Sequence, residues 1–186
     1  MSIDAAEKQE REPAVETARG AIFYRGKFLL LEKDATSKNP AAFEFPGGTV
    51  EKVEGTELTE EGWLETLIRE LKEETGIDVR DFHPKKIDDF RYYFETGEEN
   101  KKGHWRHARL FLIQIPDSEN ISISVGMTKN EIGASEDHHA GHKWVTPREL
   151  VELATTLQEN PITTKPVRLL GRNSRHIKKL LEAIAG

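Results

Sequence analysis

The chain predicts a mixed α/β (α+β) fold, and three observations carry that prediction. Residues 63–77, WLETLIRELKEETGI, space Leu64, Leu67, Ile68 and Leu71 at i, i+3, i+4 and i+7, the stripe by which a helix buries one side. Residues 18–31 and 85–115 instead hold aliphatic and aromatic runs broken by glycine and polar turns, as strands do. Residues 172–185 return to helical spacing through Ile177, Leu180, Leu181 and Ile184.

The length, 186 residues, suits one domain with a full core. Residues 1–15 are polar and aperiodic and are expected to form a flexible leader, leaving 16–186 as a single domain with a C-terminal helix. No stretch approaches the roughly 18–20 apolar residues of a membrane span, and the N-terminus lacks a signal-peptide core. Cysteine is absent, which removes disulfides, thiolate metal sites and cysteine nucleophiles; a reducing, cytoplasmic location fits. The net charge of −6 argues against long nucleic acid, which needs a basic patch, but is compatible with phosphate binding through a cation.

Taken in order, Ala18–Tyr24 and Lys27–Leu31 read as strands flanking an Arg25-Gly26 hairpin turn. A polar loop over 33–41 leads to a brief strand, Phe43–Phe45, and then to a Pro46-Gly47-Gly48 turn. Thr59 is placed to cap the central helix, with Gly62 as its third residue, and Trp63 reads as core. Gly76 falls where a left-handed cap would close that helix. Lys85–Glu95 alternates, with Phe90, Tyr92 and Phe94 on one face and Arg91 and Tyr93 on the other. His104–Ile115 reads as its antiparallel partner, with Trp105, His107, Arg109 and Phe111 sharing a face. A short strand over His142–Thr146 precedes a helix opened by Pro147. Ser174 or Asn173 is placed to cap the last helix, whose other face carries Arg172, Arg175, Lys178 and Lys179, most simply as a solvated basic side.

The central helix is electrostatically odd. Glu70, Glu73 and Glu74 crowd one side of its last turns, where like charges cost roughly 0.2–0.5 kcal/mol a pair and the helix dipole disfavours anions. A solvated charge-rich face with Arg69 and Lys72 interspersed would account for R-E-L-K-E-E alone. Its surroundings point elsewhere.

Gly55, Glu61, Arg69, Glu70, Leu71, Glu73, Glu74, Gly76 and Ile77 resemble the signature of the Nudix hydrolases, G-x5-E-x7-R-E-U-x-E-E-x-G-U, with U a bulky aliphatic residue. The family's glycine turn corresponds to Gly47-Gly48, so an insertion around Lys52–Glu60 is expected between it and the helix. The resemblance spans residues 17–157 and implies a mixed β-sheet sandwiched between helices. It implies hydrolysis of a pyrophosphate linkage in a nucleoside diphosphate derivative, assisted by Mg2+, with Mn2+ a possible substitute.

Mg2+ takes a few carboxylates, waters and substrate phosphates, an all-oxygen set that such a helix face can begin to supply. The resemblance makes Glu73 and Glu74 the principal ligands, with Glu70 a further ligand or the general base and a carbonyl of Gly47 or Gly48, Gly48 foremost, completing the set. Arg69 is expected to orient the glutamates. Glu136, or Asp137, is the alternative base or last ligand, preceding the Trp144-Val145 strand as in many Nudix chains. Arg91, Tyr93, Trp105 and Arg109 are candidate substrate contacts, able to stack a base and hold phosphate; an ordinary half-buried strand pair explains them too. Phe111 is a further aromatic candidate. The histidines His138, His139 and His142 leave zinc as a minor alternative to a polar loop.

The expected partner is a small nucleotide, with a dinucleoside polyphosphate or nucleoside triphosphate ahead of ADP-ribose. A Nudix-fold sensing or scaffold module without catalysis is the rival, though it has no need of three crowded carboxylates. The isomerase branch of the family relies on a cysteine that this chain lacks.

Overall fold

A computed structural model describes residues 14–33, 42–51, 59–94, 104–125, 139–159 and 174–186. The strands are β1 (Ala14–Tyr24), β2 (Lys27–Lys33), β3 (Ala42–Glu44), β4 (Gly47–Thr49), β5 (Lys85–Phe94), β6 (His104–Ile115) and β7 (His139–Val145). The helices are α1 (Glu60–Thr75), α2 (Pro147–Glu159) and α3 (Ser174–Ala185). The described strands form one sheet in the order β3-β2-β1-β6-β5, with β4 added to β1 and β7 to β2. β1 and β6 run parallel while the other pairs are antiparallel, so the sheet is mixed, as expected.

Alternation along β1 decides what each face buries. Ala18, Ile22 and Tyr24 join Trp63, Leu67 and Leu71 of α1 in one core cluster. Ala21 joins Phe28, Leu110, Leu150 of α2, and Ile177 and Leu180 of α3 in the other, with Phe23 packed against it. The sheet therefore lies between α1 on one side and α2 with α3 on the other. At Gly20 a Cβ would stand 2.9 Å from a Leu71 methyl, so the missing side chain lets α1 lie close to the sheet.

Local chemistry matches these elements. Arg25 and Gly26 take φ of 48° and 74°, the left-handed pair of a tight hairpin turn, between strands that pair Phe23 with Phe28. Thr59 accepts the Gly62 N–H at 3.2 Å, and Gly76 closes α1 in the left-handed region with its N–H on the Lys72 carbonyl. At α2, Thr146 and Glu149 bond reciprocally to each other's main-chain N–H, a capping box that the proline had overshadowed in the sequence.

Several expectations change. β1 begins at Ala14, so the last two residues of the expected leader are part of the sheet. Gly47-Gly48 is a strand rather than a turn, because β1 offers it a pairing edge at Thr17–Arg19. Glu60 already belongs to α1 and so leaves the expected insertion, whose residues 52–58 lie outside the described residues. Phe111 is 1% exposed and packs in the core, which removes it as a substrate contact. Lys179 is not on a solvated basic face: it pairs with the buried Asp88. Asn173 and Arg172 lie outside the described residues.

Candidate active site

The last turns of α1 meet the β4 strand, and the contact is glutamate on glycine. Glu74 is 6% exposed, and its Oε2 accepts the Gly47 N–H at 2.7 Å. Glu70 lies over Gly48 so closely that a Cβ there would overlap its carboxyl group. Gly47 has φ of +139°, and a Cβ there would overlap the Ala18 carbonyl. Only glycine fits either position without displacement.

The register fixes which carbonyls face outward. Val50 N–H bonds the Glu16 carbonyl and Gly20 N–H bonds the Pro46 carbonyl, so the Ala18–Gly48 pair between them is also a hydrogen-bonded rung. The polar groups of Gly48 therefore turn toward β1, whereas those of Gly47 lie outside that ladder. Gly47 N–H goes to Glu74, and its carbonyl accepts Arg19 Nη1 at 2.7 Å.

Arg69 bridges the other two carboxylates, with Nη2 2.8 Å from Glu70 Oε1 and Nη1 3.3 Å from Glu73 Oε2. Glu73 is half exposed and Glu70 is not, with side-chain exposures of 48% and 14%. Burial raises the Glu70 pKa above the usual glutamate value; Arg69 opposes this and Glu73 adds to it. The three glutamates thus differ: one is buried on a backbone N–H, one is largely buried with raised proton affinity, and one is half exposed.

This donor set suits Mg2+ in kind, being hard oxygen beside a glycine cradle that leaves room for a carboxylate. Among the described residues no cluster of three His, Asp or Glu is already drawn together around one point. Glu136 and Asp137 lie outside the described residues, as does His138. His142 is exposed on β7.

Three of the substrate-contact candidates, Arg91, Trp105 and Arg109, share the α1 face of the β5–β6 pair. Arg91 stands opposite His107, Tyr93 opposite Trp105, and Asp89 opposite Arg109. Arg91 lies over the Trp105 ring, 5.7 Å from its centroid. Arg109 is engaged within the protein: Nε reaches Asp89 at 2.8 Å, Nη1 reaches Glu60 at 2.5 Å, and the guanidinium lies 4.5 Å from the Trp63 ring centroid. His107 bonds Glu16 at 2.6 Å and meets Trp63 edge-on. This network ties the first turn of α1 to three strands.

Sequence reading missed Arg19, which is 9% exposed on β1. The signal was available: an arginine inside the apolar run ARGAIFY must either interrupt a strand or be buried with partners.

The NUDIX domain family model matches residues 15–166. No curated protein matches the chain. Among solved structures, the MutT protein from Methanosarcina mazei Go1 is similar with a TM-score of 0.57 at 17% identity, covering 95% of this chain and 99% of that one. An Ap4A hydrolase from C. elegans, in a binary complex, gives 0.54 at 16% identity over 93% and 99% of the two chains. The NUDIX domain of Shewanella oneidensis NrtR, complexed with ADP ribose, gives 0.55 at 11% identity over 99% of each. At these identities the structures speak for the fold.

Proposed function

Because this chain belongs to the Nudix family and is a Nudix hydrolase, acting on pyrophosphate linkages of nucleoside derivatives, we propose that it cleaves a dinucleoside polyphosphate or a nucleoside triphosphate in a reaction requiring Mg2+ or Mn2+. The observation that carries this reading is the seating of Glu70 and Glu74 on Gly48 and Gly47, with Glu73 open beside them.

Glu73 and Glu74 would hold the divalent ion, with a main-chain carbonyl of Gly47 or Gly48 completing the set. When bound, the ion supplies Lewis acidity toward the phosphate oxygens and a water. Glu70, whose burial raises its proton affinity, accepts the proton from the attacking water; Glu136 is the alternative base. Arg69 keeps Glu70 and Glu73 apart from one another in orientation by bonding both. The water oxygen bonds to phosphorus, the bridging P–O bond breaks, and the leaving phosphate departs with the electron pair.

Arg91 and Trp105 form the shelf proposed to receive the nucleoside, the ring of Trp105 for stacking and Arg91 for phosphate charge, with Tyr93 a further candidate contact. Arg109 is assigned the supporting role of holding Glu60, Asp89 and Trp63 in place. A small nucleotide fits a net charge of −6 better than long nucleic acid does. A sensing module has no need of three carboxylates crowded at one end of a helix, so catalysis is the preferred reading.

The test is a panel of dinucleoside polyphosphates, nucleoside triphosphates and ADP-ribose, incubated with and without Mg2+ or Mn2+, with products separated by chromatography. Metal-dependent cleavage of one of the first two classes is expected. Turnover of ADP-ribose alone would overturn the substrate assignment, and binding without turnover of any member would favour the sensing module.

A further inference from the structure

The Gly47 peptide is held from both ends by charged side chains that belong to different elements. Its N–H donates to Glu74 of α1 at 2.7 Å. Its carbonyl accepts Arg19 Nη1 at 2.7 Å, and the same nitrogen donates to the Phe45 carbonyl at 3.3 Å. Arg19 follows Ala18 and precedes Gly20, both of which face α1, so its side chain leaves β1 on the opposite face. Glu44 lies 3.9 Å away and shares the charge.

A guanidinium this buried is costly to desolvate, and its stabilising return is small unless geometry depends on it. Here the geometry in question is that of a backbone segment with φ of +139°, outside the range that side-chain-bearing residues favour. We propose that Arg19 is a positioning residue of the metal site: by holding the Phe45 and Gly47 carbonyls from the far face, it fixes the peptide on which Glu74 rests. This rests on the reading of Glu73 and Glu74 as the ligands of the divalent ion, with the Gly47-Gly48 segment beside them. Arg19 touches neither ion nor substrate; it acts through Gly47 and, at longer range, through its charge on Glu70.

The test uses the full-length protein and Mn2+ alone, with free Mn2+ counted by electron paramagnetic resonance. Wild type, Glu73→Gln, Arg19→Lys and Arg19→Met are compared, with thermal melts of each. Lysine keeps the charge, but its Nζ ends one bond short of the Nη1 position. Both Arg19 variants are therefore expected to bind Mn2+ at least fivefold more weakly while still melting cooperatively. If a folded Arg19 variant binds Mn2+ within twofold of wild type, with only its melting temperature lowered, the residue is structural and the proposal is wrong. Arg19→Lys decides should Arg19→Met fail to fold. Weakened binding in Glu73→Gln beside unchanged Arg19 variants would leave the metal site standing and sink this inference alone. Absence of Mn2+ binding by wild type would remove both.

Discussion

Glu74 Oε2 accepts the Gly47 N–H at 2.7 Å, joining the last turn of the glutamate-rich helix to the β4 strand. This bond explains how a carboxylate stays buried at the anionic end of a helix. A charge-assisted hydrogen bond from a main-chain N–H offsets part of the desolvation and dipole cost. It also sets the spacing between α1 and β4, on which the positions of Glu70 and Glu73 depend.

The glycines are accordingly the most sensitive positions. Gly48→Ala would drive a methyl group into the Glu70 carboxyl group, and Gly47→Ala would add backbone strain of about 1–3 kcal/mol to an overlap with the Ala18 carbonyl. We expect both to lose at least tenfold in kcat/KM and to melt at lower temperature than wild type. An active Gly48→Ala protein of wild-type stability would mean that Glu70 is not seated on β4.

Glu70 is expected to titrate above the usual glutamate value in the metal-free protein. Burial raises it and Arg69 restrains the rise, so Arg69→Met should move it higher still. A group raised in the folded state contributes stability below its unfolded pKa, and that contribution is lost as pH rises through the folded value. Carboxyl-carbon NMR titration of wild type and Arg69→Met checks both the value and its direction; a downward move in the variant would refute the assigned cause.

On the opposite face, Asp88 of β5 is 5% exposed and bonds His176 Nδ1 at 2.5 Å and Lys179 Nζ, both on α3. Burial alone would raise its pKa, but the Lys179 and His176 bonds outweigh it and hold the carboxyl below the usual range. The stabilisation is therefore present above the ordinary aspartate pKa and is lost as pH falls through the lowered folded value. Asp88→Asn should cost about 3 kcal/mol near neutrality, since it leaves His176 and Lys179 without their anion. Urea unfolding from pH 7 to pH 2 should show that difference shrinking at the acid end; a difference independent of pH would rule out the charge as its origin.

The two halves of this architecture were unequally visible in the sequence. Leu64, Leu67, Ile68 and Leu71 declare α1 by spacing, and Thr59 and Gly76 mark its ends by local chemistry that acts within a few residues. The β5–β6 pairing was legible for a similar reason, as two alternating runs around one turn. Gly47-Gly48 reads locally as a turn, and only the distant edge of β1 makes it a strand. Asp88 and His176 are 88 residues apart, and neither carries a mark of the other. The glutamates were legible as a group, but their division into buried, largely buried and half exposed comes from β4 and Arg69, which periodicity does not register.

The central claim is that the carboxylates facing β4 perform a metal-dependent hydrolysis, and two substitutions on one helix test it most directly. Glu73 and Glu65 are both exposed glutamates of α1, but of the two only Glu73 is ion-paired with Arg69. Steady-state hydrolysis of the best nucleotide from the panel, in saturating Mg2+, would be measured for wild type, Glu73→Gln and Glu65→Gln, with circular dichroism to verify folding. We predict that Glu73→Gln loses about a hundredfold or more in kcat, equivalent to at least ~2.7 kcal/mol of transition-state stabilisation, while Glu65→Gln matches wild type. Equal rates for all three folded proteins would contradict the assignment of this helix face as the catalytic centre.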